Sequence, residues 1–232
     1  MRRLRSFLPL IVLVAIGVAL LSTGALNRLR PQTLASEQAQ LQAQIAAHPL
    51  RASGLQVGAT ALAIATGMPG VLVVILAGGM LFGIVAGTLL SSIGLTLGAL
   101  ILFLASRHAF GAQPGTRAPV LVEKLRDGYL AHPVSYTCFL RLVPFFPFGG
   151  VTIALAWLRC PLWLFAAATA SGGSVITAIE TALGAGLARN IAANRAVSLS
   201  LFSDPVVIVP LLAMGLLALT PVAIGKWRAR RN

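Results

Sequence analysis

From Ala52 through Ser106 the chain carries no Asp, Glu, Lys or Arg. About 20 apolar residues of helix cross the hydrocarbon core of a bilayer, so an uncharged stretch this long commits the chain to a membrane. It is also too long for one crossing. Within it, TGMPGVLVVILAGGMLFG holds a Pro-Gly pair and then a Gly-Gly pair, which interrupt a helix. Only 10% of the whole chain is charged and 57% is hydrophobic, whereas soluble domains carry roughly 25% charged residues. The fold class expected is an all-α polytopic membrane protein.

The formal net charge is +13. Nucleic acid as the reason for it is excluded by the scarcity of soluble chain to carry a basic face. Cytoplasmic flanks of membrane helices and contact with anionic head groups account for it instead. Membrane lipids are therefore the expected partners, with a second copy of the chain, as a homo-oligomer, the other candidate.

The apolar stretches divide the chain. Residues 7–26 follow a basic head and read as a first span and an uncleaved anchor, because signal-peptide cores run only about 7–15 residues. Segment 27–54 is polar, with Leu34, Leu41 and Ile45 on one helical face, which predicts a short surface helix ended by His48-Pro49. Segment 107–133 is a polar loop holding a second such helix, PVLVEKLRDGYLAHP, ended by His132-Pro133. Segment 134–158 is a second broken apolar stretch, 160–188 a Gly/Ala-rich span, and 205–225 a last span before the basic tail KWRARRN. The expected domains are 1–54 (anchor and amphipathic helix), 55–188 (core) and 189–232 (final transmembrane helix and cytoplasmic tail). Each His-Pro pair is followed by a broken segment and then a long span, a weak internal repeat of the kind that places a transport site between its halves.

Basic residues decide whether the broken segments cross. If 55–77 and 134–158 each enter and return on one side, 12 Lys and Arg fall inside and 5 outside, with Arg141 left in the membrane. If both cross fully, the division is 8 against 9. The positive-inside rule favours the first arrangement: about four transmembrane helices plus two re-entrant hairpins, with both termini cytoplasmic in an inner (plasma) membrane. Re-entrant backbone survives at that depth only beside protein or water, which implies a central hydrated cavity.

The stretch RLVPFFPFGG at 141–150 puts a permanent cation and two helix breakers in apolar surroundings. A guanidinium grips phosphate through parallel hydrogen bonds; the competing use is to satisfy carbonyls freed by Pro144 and Pro147. Gly149 and Gly150 are expected to permit the return turn. Phe145, Phe146 and Phe148 either line an acyl path or pack. Glu180 is the one acid within an expected span and has three candidate roles: pairing with Arg141, relaying protons, or sitting near the outer interface. His48 and His132 read as helix-end residues, and Cys138 and Cys160 as small buried hydrophobes. Gly83, Gly87, Ser91, Gly94 and Gly98 recur at helical steps that let helices approach closely. No nucleotide loop, metal cluster or nucleophile–base pair is present in the sequence, so neither a cofactor nor an enzyme activity is expected.

The R-x-x-P-x-x-P-F pattern at 141–148, with MPGVLVVILAGGMLFGIVAGTLLSSIGLTLGALILFLASR at 68–107, resembles the VTT-domain (SNARE-associated) membrane proteins of the DedA superfamily. The resemblance implies two facing re-entrant hairpins, each followed by a tilted helix, and movement of lipid or lipid-linked phosphate, proton-coupled in some members. Pro69 and Gly70 match the first hairpin's tip. Gly78, Gly79, Phe82 and Gly83 match its Gly-rich exit, expected to be structural. Arg141, Pro144, Pro147 and Phe148 match the second hairpin. Thr152 stands where an Asn is usual, and Glu180 where an aromatic is common. The expected substrate contacts are Arg141, Pro144, Pro147, Phe148, Thr152, Pro69 and Gly70, with Glu180 as a proton relay. The expected function is a lipid scramblase or flippase; an ion-coupled small-solute transporter and a non-transporting scaffold are the alternatives.

Overall fold

The computed structural model describes residues 2–22, 40–68, 70–111, 120–142, 147–192, 209 and 212. Among these every regular element is helical. The chain runs α1 (Arg2–Ser22), a helical stretch at 40–47, α2 (Pro49–Ala65), α3 (Val71–Gly111), α4 (Val120–Ala131), α5 (Pro133–Leu142), α6 (Phe148–Trp157) and α7 (Leu162–Ala192). Among the described residues, two helices are long and apolar enough to cross a membrane, Val71–Phe110 and Leu162–Asn190. The last expected span, 205–225, lies outside the described residues apart from helical Val209 and Leu212.

The weak repeat of the sequence is an architectural one. His48 ends the 40–47 helix, its N–H donating to Gln44 O, and starts α2, its carbonyl accepting from Ala52 N. His132 does the same between α4 and α5, donating to Gly128 O and accepting from Tyr136 N. Each following proline opens a helix, where its missing N–H leaves nothing unsatisfied. After each comes a helical hairpin and then a long helix.

In the first repeat the hairpin is α2 plus the opening part of α3. Its tip is a Schellman turn: Gly67 (φ 63) donates to Ile64 O and Met68 N to Ala63 O. Gly70 (φ 105) completes the reversal. At Gly83 (φ 77, ψ −176) the backbone leaves helical geometry, so α3 is two helices, 71–82 and 84–111. A side chain there would be strained.

In the second repeat α5 and α6 form the hairpin. A second Schellman turn ends α6, with Arg159 N bonding Ala156 O and Cys160 N bonding Leu155 O. Here Arg159 takes the left-handed position (φ 56) that glycine usually fills, and Pro161 bars further helix. Gly149 and Gly150 do not make the return turn expected of them. They lie in the first turn of α6, whose N-cap is Pro147 (φ −61, ψ 118). A proline held extended starts the helix at once, and both glycines fall inside it.

The repeats interlock through glycines. Within each, the entry helix packs on its own long helix: a Cβ on Gly94 or Gly98 would meet the carbonyls of Val57 or Ala61, and one on Gly172 the Cβ of Arg141. Between them, the exit segment 71–82 packs on α7, where a Cβ on Gly79 would strike Thr181 and one on Gly184 would strike Leu76 O. In the same way α6 packs on 84–111. Thr88 and Thr181 hydroxyls bond at 2.6 Å across the long helices.

The main core joins Ile64, Leu95, Phe103, Leu155 and Phe165 with Val122, Leu125 and Tyr129 of α4. Burial first, then the adjoining Cys160 thiol, pushes the Tyr129 phenol up to about 12, so it stays a donor. Val85, Leu89, Ile93, Leu97, Ile101 and Leu104 form an exposed stripe down 84–111. Exposed apolar area of this extent marks a surface that meets lipid or protein rather than water.

Candidate functional site

The hairpins enter the bundle from opposite ends. Arg51 of α2 and Arg189 of α7 line neighbouring hollows around Leu81 and Phe82, beside the Gly83 break. At the other end Arg107 Nη1 donates to Cys160 O at 3.0 Å, bringing the foot of the first long helix to the break after α6.

The two hairpins therefore approach each other inside the bundle. Their described residues border a cavity of about 310 Å³. Ile64, Val71 and Ile75 line it from the first hairpin; Leu140, Arg141, Pro147 and Phe148 from the second; Leu95, Gly173, Ile176 and Glu180 from the long helices. Leu95 lies twelve residues from both Gly83 and Arg107, about 18 Å of helix each way at 1.5 Å per residue. The cavity is thus at the bundle's mid-height.

Arg141 is its dominant feature, only 4% exposed. It sits in the last turn of α5, where its cation meets the negative end of the helix. The guanidinium carbon is 4.4 Å from the Phe148 ring centroid and 4.7 Å from that of Phe165. Phe165 stacks on Phe103 at 4.1 Å, and Arg107 lies 5.9 Å from Phe103. Nη2 donates to Thr152 Oγ1 at 3.0 Å, and Thr152 in turn donates to Phe148 O at 2.8 Å. Among the described residues, buried Nε and Nη1 have no partner. A buried cation with unsatisfied donors is costly and is stabilised when an anion arrives.

Glu180 lines the same cavity from α7. It does not pair with Arg141, whose one bonded nitrogen among the described residues goes to Thr152. Gly173, Ile176 and Glu180 follow the i, i+3, i+7 spacing that shares one helix face, with Glu180 at its far end from Arg141.

The structure thus brings Arg141, Pro147, Phe148 and Thr152 together, with Glu180 across the cavity. Gly70 is in the first hairpin's turn, away from the guanidinium contacts. Pro69 and Pro144 lie outside the described residues. Gly78, Gly79 and Gly83 provide close packing and a helix break, and Phe82 lines the hollows at the Arg51 end.

Sequence reading missed Gln56. It is buried in α2, and its Nε2 donates to Val74 O at 3.2 Å and Ser91 Oγ at 3.0 Å. It ties the first hairpin's entry helix to its exit and to the long helix, the place Arg141 holds in the second. The signal was present: a lone amide inside the uncharged run.

Fold and site define a helical membrane protein built from two hairpin-plus-long-helix repeats around a buried cation. The VTT domain family model matches residues 68–186, and the chain belongs to that family, a membrane protein of the DedA type. No curated protein and no solved structure matches it.

Proposed function

We propose that the protein is a lipid transporter of the inner membrane that moves a phospholipid or lipid-linked phosphate between leaflets. One observation carries the reading. A guanidinium 4% exposed, with two donor nitrogens unpartnered among the described residues, borders a mid-height cavity between the two hairpins. Charge at membrane depth costs about 2.5–3.5 kcal/mol even on insertion scales, and phosphate offers the oxygens that the free nitrogens lack.

The proposed arrangement has four spans, at 7–26, 84–107, 162–190 and 205–225, with 55–188 as the transporting core. The hairpins are re-entrant, the first from outside and the second from the cytoplasm, and both termini are cytoplasmic. This puts Arg107, Lys124, Arg126 and Arg159 inside and Arg51 and Arg189 outside, as the positive-inside rule favours. The head group passes through the cavity, with Arg141, Thr152, Pro147 and Phe148 along its path. The acyl chains stay in lipid beside the exposed aliphatic stripe. Glu180, the only acid among the described residues of the cavity wall, is the residue through which protons would couple to movement.

Purified protein in liposomes with acyl-labelled fluorescent phospholipid, quenched by external dithionite, tests this. Wild-type protein should expose the inner-leaflet label, and Arg141→Ala should slow that phase at least tenfold. Quenching that stops at the outer leaflet with wild-type protein would reject lipid movement.

A further inference from the structure

We propose that the cavity recognises a zwitterionic phosphate ester, its phosphate on Arg141 and its ammonium on Glu180. The inference rests on the lipid-transport reading and names the head group.

The cavity wall bears one cation and one acid, Arg141 and Glu180; its other nine lining residues are apolar or glycine. They form no ion pair with each other, and among the described residues Nε and Nη1 of Arg141 have no partner. The guanidinium is clasped between Phe148 and Phe165 and bonded to Thr152. Along α7 the wall runs from Gly173 past Ile176 to Glu180, about 10 Å of helix axis at 1.5 Å per residue. A two-carbon phosphoammonium ester, with one hydrogen-bond length of about 3 Å at each end, has comparable reach.

Charge balance points the same way. In low dielectric an uncompensated charge is penalised steeply. A bare phosphate monoester would satisfy Arg141 but bring excess negative charge into a chamber that also holds a carboxylate. A phosphodiester with a neutral glycerol end would leave Glu180 without a counter-charge. A zwitterion meets both groups and adds no net charge, so complementarity of this kind sets specificity. Gln56, the polar node of the first hairpin, already spends its donors on Val74 and Ser91, and it does not line this cavity.

Three arms test the proposal. In proteoliposomes, acyl-labelled phosphatidylethanolamine should cross about tenfold faster than acyl-labelled phosphatidylglycerol. Glu180→Gln should bring the ratio of the ethanolamine lipid's rate to the glycerol lipid's rate down to about one, while Glu180→Asp restores part of the preference. Equal wild-type rates for the two lipids, or a Gln variant that slows both alike, would overturn amine recognition while leaving lipid transport standing.

The second arm is binding without transport. Glycerophosphoethanolamine should raise the melting temperature of detergent-purified protein, glycerophosphoglycerol should not, and Glu180→Gln should abolish the difference. If no lipid crosses, transport fails and recognition is decided by this arm alone: discrimination supports it and indifference rejects it. The third arm is uptake of labelled water-soluble phosphoethanolamine into the liposomes. Uptake would assign the site to a free ester, and lipid exchange without uptake to a membrane head group.

Discussion

Replacing Arg141 with Met separates a brace from a binding site. The charged hydrogen bond to Thr152 is worth about 1.5–3 kcal/mol and each desolvated ring contact about 2 kcal/mol, so about 6 kcal/mol is lost. Thr152 is not orphaned, because its hydroxyl still donates to Phe148 O. Against this, removing Nε and Nη1 abolishes two buried unsatisfied donors, about 2 kcal/mol each. A thioether between the same rings returns about 2 kcal/mol more. The terms cancel to within about 1 kcal/mol. Thermal melting of the purified protein should therefore stay within about 4 °C of wild type, while phospholipid exchange falls at least tenfold. An arginine retained to hold the fold behaves otherwise, since breaking a buried ionic contact costs about 3–5 kcal/mol. A melting point more than about 10 °C lower, or exchange at the wild-type rate, would refute the reasoning.

Other outcomes follow from the same geometry. Gly184→Ala drives a methyl into Leu76 O and should destabilise by about 1–3 kcal/mol. Gly58→Ala meets nothing within 4 Å and should gain up to about 1 kcal/mol of helix propensity; equal melting of the two variants would contradict the interlocked repeats. Arg141 and Glu180 are the only charged groups among the described residues of the cavity wall, so exchange that varies with pH should lose that dependence in Glu180→Gln; an unchanged profile rejects the relay. Lys124→Cys, on exposed α4 surface, should react with an impermeant maleimide only once the cytoplasmic side is opened. Labelling of intact cells would remove the re-entrant topology.

The architecture was legible where backbone chemistry is written in residue type. The His-Pro pairs marked the helix junctions, the interrupted apolar run marked a hairpin and a break, and the spaced glycines marked the helix contacts. Arg141 and Glu180 stood out because charge in apolar surroundings requires a reason, and both reached one cavity. What stayed hidden depended on partners distant in sequence. Gln56 is polar without charge, and only the approach of Ser91 and Val74 reveals its role. The aromatic clasp needed Phe165, from a helix that no local motif ties to the hairpin. Gly149 and Gly150 misled because a glycine pair signals a turn only where the helix has not already begun, and Pro147 caps α6 just before them.

The central claim is a water-filled chamber at mid-depth of the bilayer between two folded-back hairpins. Its most direct test is thiol labelling in a cysteine-free background, comparing Ile176→Cys on the cavity wall with Leu97→Cys on the exposed aliphatic stripe. A charged methanethiosulfonate should modify position 176 at a rate close to that of a loop cysteine and leave position 97 untouched. Equal inertness at both positions would mean that water does not reach Arg141 and that no polar head group passes it.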